Sequence, residues 1–349
     1  MVEMLRKTLT DLTVRILASR PICALMSPLR AQYVPIFMLH RIEDKNLGII
    51  GHSAQSIEEA LLYIKKQGYQ GISIAQLSEA IVNNKPIPKN SVAFTLDDGF
   101  AEQAEVALPI FEKHQIPVTL FIATDMLDKQ SWSWDYKLEY IVRNTQLKKA
   151  NVILAGTPFS VNLSSNHEKR LFIRQVRWHL KSYSIGETNK SVQHLASSLK
   201  VDVPATAPEP YKPMTWQQAK QAESKYVSFG AHTCAHNVLS QLDGDSAKKE
   251  IERSWQRVQE ELSNPCPVFC YPTGRPNIDF GMREKQMAIN AGFTSALSAE
   301  PGYIDFKRRS NIDNFSLKRF AFPHSMTDFK QYCSWIERGK SLVLLRDKP

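Results

Sequence analysis

Two aspartates, Asp97 and Asp98, stand side by side between the apolar run Val92-Ala93-Phe94-Thr95-Leu96 and Gly99. Adjacent like charges repel, and a carboxylate at the edge of an apolar core is costly unless it is paired. A cation removes both objections. In "GAHTCAH", His232 and His236 are four residues apart, and a helical turn starting there puts both imidazoles on one face. The same turn points Cys234 elsewhere, which leaves it out of the ligand set. Two imidazoles and one carboxylate make a facial set with open positions for water and substrate, as a catalytic metal site requires. The other aspartate is then free to act as a base, kept ionised by the cation. A third polar stretch, "FCYPTGRP" from Phe269 to Pro276, also leaves an apolar segment for a Pro-Gly turn. Taken singly, each motif is commonplace. Asp-Asp-Gly is usually an ordinary turn, and His-x-x-x-His is usually two unrelated surface histidines.

What joins them is the elements that must hold them. Strand-like and helix-like patterns alternate along the chain. Residues 35–40, 117–123, 226–232, 267–271 and 294–298 read as strands, as does the run ending in Asp97-Asp98. Amphipathic helical patterns fall at 54–67, 101–115, 245–263 and 281–291. This alternation predicts an α/β architecture with parallel strands. Polar groups at the carboxyl ends of parallel strands converge on one pocket. From about residue 131 to 213 the alternation stops. This polar stretch carries Trp132, Trp134 and Trp178, ends in a proline-rich segment, and is expected to be a mostly helical insertion. The expected division is therefore an N-terminal helical segment over 1–33, a main domain over 34–325 and a C-terminal tail over 326–349.

Composition narrows the function. The chain has 349 residues, 43% hydrophobic and 23% charged, which suits a globular protein with a sizeable core. No apolar run reaches the roughly 18–20 residues of a membrane span, and polar residues interrupt the N-terminus, so no cleaved export signal is expected. The five cysteines form no CxxC pair; reduced thiols in a cytoplasmic protein are expected. The net charge of +9 is spread along the chain without a recognition motif, which gives nucleic acid no support. Leu5, Leu9, Leu12 and Ile16 recur at helical spacing beside Arg6, Lys7, Arg15 and Arg20. That segment is either a helix packed on its own domain or an amphipathic helix on an anionic membrane.

At its chemical motifs the chain resembles the polysaccharide deacetylase family, the NodB-homology domain of carbohydrate esterase family 4. Thr95-Leu96-Asp97-Asp98-Gly99 matches the T-F-D-D-G motif with Leu96 for the aromatic residue, and His232-Thr233-Cys234-Ala235-His236 matches H-[ST]-x-x-H in full. The resemblance implies a distorted (β/α) barrel with fewer than eight regular strands. It also implies one divalent metal (zinc, or else cobalt, nickel or manganese) and removal of an acetyl group from a sugar. By position, Asp97 is the base, and Asp98, His232 and His236 hold the metal. The third motif departs from the usual R-x-x-[FY]-R-x-P and looks like the variant in bacterial exopolysaccharide de-N-acetylases, which puts the Tyr271 backbone N–H at the oxyanion. In that branch the strand bearing the acid histidine is permuted to the front, where Ile36-Phe37-Met38-Leu39-His40 fits. The alternative acid is His324, in Phe320-Ala321-Phe322-Pro323-His324 at the usual C-terminal place. Either histidine is expected on the side of the metal opposite Asp97.

The resemblance thus implies a hydrolase of an N-acetylated glycan or lipid-linked sugar of the cell envelope. The expected lack of an export signal and the basic N-terminal segment suit a protein that is cytoplasmic or peripheral on the inner membrane face. The alternatives are a deformylase of a lipid-linked amino sugar and a carbohydrate-binding homologue that has lost catalysis.

Overall fold

A computed structural model describes the backbone of residues 2–340 and the side chains of residues 9–340. Period-two alternation sets the layout. In the strand Ser91–Asp98, Val92, Phe94 and Leu96 face an outer layer shared with the helices Ala54–Gln67, Leu108–His114 and Gly244–Glu261. Ala93 faces inward, packed with Ile36, Phe121, Val268, Cys270 and Leu297. Thr95 and Asp97 share that inward face.

Six parallel strands follow one another around the sheet in sequence order: Tyr33–Leu39, Ser91–Asp98, Val118–Ile122, Val227–Ala231, Val268–Cys270 and Ser295–Leu297. A short strand, Tyr303–Asp305, runs antiparallel along the start of the first. The ring is closed by one extended stretch. Leu317 bridges to Leu297 on the last parallel strand, and Phe320 and Ala321 pair with Phe37 and Met38 on the first. The fold is the expected distorted (β/α) barrel, with fewer than eight regular strands. The helix Ile74–Val82 covers one end of its interior. Ile74, Leu77 and Ile81 belong to the inner apolar cluster, and the Ser78 hydroxyl bonds those of Thr294 (2.8 Å) and Ser295 (2.7 Å).

Two segments hold structure that the sequence reading did not give them. The insertion between Val118–Ile122 and Val227–Ala231 holds the helices Trp134–Asn144, Asn166–Leu180 and Ile185–Ser198, but also an antiparallel hairpin, Lys149–Leu154 with Thr157–Asn162. Its turn residues Ala155 and Gly156 both have positive φ, as a two-residue hairpin turn requires. The insertion has a small core of its own around Leu138, Phe172, Val176 and Leu195. The expected C-terminal tail begins instead as a packed helix, Met326–Cys333, with Phe329 and Cys333 fully buried. Apolar residues at that spacing form one helical face, and Phe329 lies 4.9 Å from the Phe37 ring. Residues 341–349 of that tail lie outside the described residues.

The N-terminal helix Val2–Leu17 leans on this helix and the turn after it. Val14 and Ala18 pack with Ile336, the Trp335 indole donates to the Leu17 carbonyl at 3.1 Å, and Thr327 donates to Asp11 at 2.6 Å. Leu9, Leu12 and Ile16 point away and are more than half exposed. The side chains of Leu5, Arg6 and Lys7 lie outside the described residues. Among the described residues, no helix is long and apolar enough to cross a membrane.

Candidate active site

The strand ends bring the sequence-selected residues together. A cavity of about 380 Å³ is lined by His40, Asp97, Asp98, His232, His236 and Tyr271, with Tyr136, Arg177, Lys181 and Arg319 among the other wall residues. Asp98 and Gly99 both take positive φ at the end of their strand, +88° and +99°. Adjacent aspartates therefore face different surroundings instead of alternating across a flat sheet.

Asp98 Oδ1 lies 3.6 Å from His232 Nε2 and 3.3 Å from His236 Nε2. It is buried and has no hydrogen-bond partner, a costly state that a cation relieves. His232 Nδ1 bonds the Cys270 carbonyl at 2.7 Å. A carbonyl only accepts, so Nδ1 carries the proton and Nε2 turns a lone pair toward the gap. Burial pushes His232 down to about 4, with His236 adding to the effect against the pull of Asp97 and Asp98. A neutral imidazole is the form that binds a metal. On the other side, Tyr136 donates to Asp98 Oδ2 at 2.8 Å and orients the carboxylate. The donor set fits a divalent cation.

No helical turn joins the two histidines. His232 to His236 is a loop in which Thr233 (+64°) and His236 (+56°) are left-handed, and these reversals set the rings 4.9 Å apart. Glu250, on the long helix Gly244–Glu261, pins the loop. Its carboxylate accepts from the N–H groups of Cys234 (2.8 Å) and Ala235 (2.9 Å) and from Asn237 Nδ2 (3.0 Å). Cys234 contributes no ligand atom to the cluster.

Asp97 is held differently. Its Oδ1 accepts from Arg319 Nη1 at 2.9 Å. Arg319 is fully buried, and it also donates to the Ser298 carbonyl and the Thr95 hydroxyl. Burial alone pushes the Asp97 carboxyl up. The Arg319 guanidinium, with His232 and His40 beside it, overcomes that and holds it below the usual carboxylate range. The other oxygen, Oδ2, accepts from the Cys270 thiol at 3.7 Å and lies 3.7 Å from His40 Nε2. Gln103 opens a π-helical turn, Gln103–Ala107. Its side chain ties the Asp97 and His40 carbonyls to the N–H groups of Gly99 and Phe100. π-Turns often mark functional sites, and this one locks two site-bearing strand ends together.

Geometry bears on three expectations. His40 lines the cavity, and His324 stacks on His52 at 4.3 Å in an adjoining cleft that His40 also lines. His40 lies next to Asp97, not across the metal position from it. The Tyr271 N–H, expected to face the oxyanion, donates to the Leu297 carbonyl at 3.2 Å. It extends the parallel ladder past Cys270, so it is already engaged. Pro272-Thr273-Gly274 then turns the chain away. Gly274 (φ +63°) leaves no room for a Cβ, which would lie 2.7 Å from the Ala299 nitrogen.

Arg319, Tyr136, Gln103 and Glu250 escape a reading by local motif. Arg319 lies 222 residues from its partner, and Tyr136 comes from the insertion. Arg319 stands beside Lys318 in the mixed stretch Phe315–Phe322, which gives no local signal that one of the two cations is buried.

Comparison with known proteins gives consistent results. A family model described as polysaccharide deacetylase matches residues 84–152 and 200–294. Poly-beta-1,6-N-acetyl-D-glucosamine N-deacetylases of Escherichia coli strains K12 and O157:H7 are 31% identical over 80 residues, 22% of this chain. The chain spans only 12% of the length of those curated relatives. Among solved structures, the deacetylase PplD of Streptococcus pyogenes, in complex with acetate, superposes with a TM-score of 0.56 at 16% identity, covering 87% of this chain and 99% of its own. IcaB of Ammonifex degensii gives 0.54 at 13% identity, covering 88% and 98%. These structural likenesses concern the fold.

Proposed function

This chain belongs to the polysaccharide deacetylase family, and on that premise we propose that it is a metal-dependent hydrolase removing N-acetyl groups from a surface glycan. One observation carries the reading. An ionised, arginine-pinned carboxylate, an orphaned Asp98 oxygen and two histidines meet in one cavity with His40. A binding homologue has no use for the first.

Asp98, His232 and His236 would hold the cation; zinc is favoured, though such ligands also suit cobalt, nickel or manganese. A divalent ion bound there supplies Lewis acidity and makes water a stronger nucleophile at neutral pH. Arg319 occupies Asp97 Oδ1 and leaves Oδ2 to accept the proton of the attacking water. His40 Nε2, next to that oxygen, protonates the departing amine. Tyr136 keeps Asp98 oriented through its phenol. Supporting a polymer of β-1,6-linked N-acetylglucosamine as substrate is the name of the E. coli relatives. The test is release of acetate from such oligomers by protein loaded with each metal in turn. Formate release from formylated amino sugars in place of acetate would favour the deformylase alternative, and no release at all would leave a binding protein.

Work at an anionic membrane face is supported by the N-terminal helix. Leu9, Leu12 and Ile16 expose an apolar stripe beside the exposed Arg15 and Arg20. That pattern suits a helix lying in the lipid headgroup region.

A further inference from the structure

The last turn of the insertion helix Asn166–Leu180 brings two features to the cavity mouth that the chemistry above does not use. Arg177 and Lys181 line the cavity, and between them Trp178 is 67% exposed. An indole left this far in water is unusual for so large an apolar group. One of its faces is taken by Arg275, whose guanidinium carbon lies 4.7 Å from the ring centroid. Arg275 is itself fixed by a two-pronged bond to Asp279, at 2.8 and 2.7 Å. The indole is thus backed by a braced cation. Lys181, three residues on and on the same side of the helix, is half-buried, and no carboxylate comes within ion-pair distance of its ammonium among the described residues. The nearby carboxylates are already occupied, Asp135 by Arg177 and Asp279 by Arg275. A half-buried ammonium without a partner is poised to donate to a ligand's oxygens.

We propose that Trp178, Lys181 and Arg275 form an outer subsite for a second sugar unit, so that the enzyme recognises a glycan chain and not a lone monosaccharide. A pyranose ring presents one apolar face of C–H groups and an equatorial rim of hydroxyls. The free face of Trp178 takes the former, Lys181 donates to the latter, and Arg275 braces the indole from behind. The proposal rests on the deacetylase reading, since it places this unit beside the one being deacetylated.

The test is binding, which separates the two readings. Metal-loaded, full-chain Asp97→Asn protein is titrated calorimetrically with β-1,6-linked N-acetylglucosamine oligomers of one to five units. Affinity should rise about two- to tenfold from one unit to two, the range of a good aromatic contact. Adding Trp178→Ala should abolish that rise, Trp178→Phe should keep most of it, and Lys181→Met should lose part. Because Trp178 is exposed, its replacement leaves the core intact. Affinity independent of length, or a rise that survives Trp178→Ala, overturns the subsite. Length-dependent binding lost in Trp178→Ala, but without acetate release by the wild type, upholds the subsite and refutes the deacetylase assignment.

Discussion

Asp97 and Asp98 are the same residue, one peptide bond apart, and their neighbours assign them different work. Asp98 faces two imidazole nitrogens and keeps one oxygen unbonded. Asp97 faces a guanidinium and a histidine. Asp98→Ala and His232→Ala should therefore lose the bound metal and nearly all turnover while staying folded, which metal analysis of the purified variants checks. Asp97→Asn should keep the metal and lose most turnover. An emptied site in Asp97→Asn with a full one in Asp98→Asn would reverse the roles. The acid can be isolated in the same way. A sugar amide needs a proton on its leaving nitrogen, whereas an activated aryl ester does not. His40→Ala should lose on the order of 10²–10⁴-fold on an N-acetyl sugar and much less on an aryl acetate. His324→Ala, altered in the neighbouring cleft beside His52, should change little on either. The opposite pattern would return the acid to the C-terminal position.

At the scale of elements, the histidine loop depends on a helix. Glu250 satisfies two of its backbone N–H groups, so Glu250→Ala should loosen the loop and weaken metal binding by ~10–100-fold, as loss of an outer-shell partner does. Glu250→Gln, which still offers one accepting oxygen, should fall between. Competition with a chelator measures both, and unchanged metal affinity in Glu250→Ala would remove the loop from the account. The N-terminal helix offers a second test. Leu12→Glu with Ile16→Glu should abolish sedimentation with anionic liposomes without altering activity in solution, since neither side chain packs on the body. Undiminished liposome binding would count against a membrane role. These elements also mark how far sequence reading reaches. The strands and helices around the barrel announce themselves by periodicity, and Asp97, Asp98, His232 and His236 by motif and strand-end position. The hairpin at 149–162 does carry a period-two signal, Ala150, Val152 and Leu154 on one strand and Phe159 and Val161 on the other, but each run is only six residues long and stands between polar helical stretches that mask it. The loop at His232 is misread as a helical turn because spacing alone does not distinguish i to i+4 along a helix from two left-handed reversals. Whether the Tyr271 N–H is free depends on a neighbouring strand, which no local pattern encodes.

At the scale of the whole molecule, catalysis and closure of the ring share one residue. Arg319 lies between Leu317, which bridges to the last parallel strand, and Phe320, which pairs with the first, and from there it reaches into the interior to Asp97. Arg319→Ala should strand a buried carboxylate and cost about 3–5 kcal/mol of stability. A denaturant titration with an unchanged midpoint would sink this account. The same linkage bears on biosynthesis. A ribosome makes Asp97 222 residues before Arg319, so for most of translation the nascent chain carries an acidic strand end whose counter-charge does not yet exist. The five earlier parallel strand connections can pair as they emerge, but the interior around Asp97 stays uncompensated until the closing stretch leaves the exit tunnel. Released chains truncated before residue 317 should therefore remain open to proteases as a group, and resistance should appear abruptly, not in increments, once the truncation point passes residue 322.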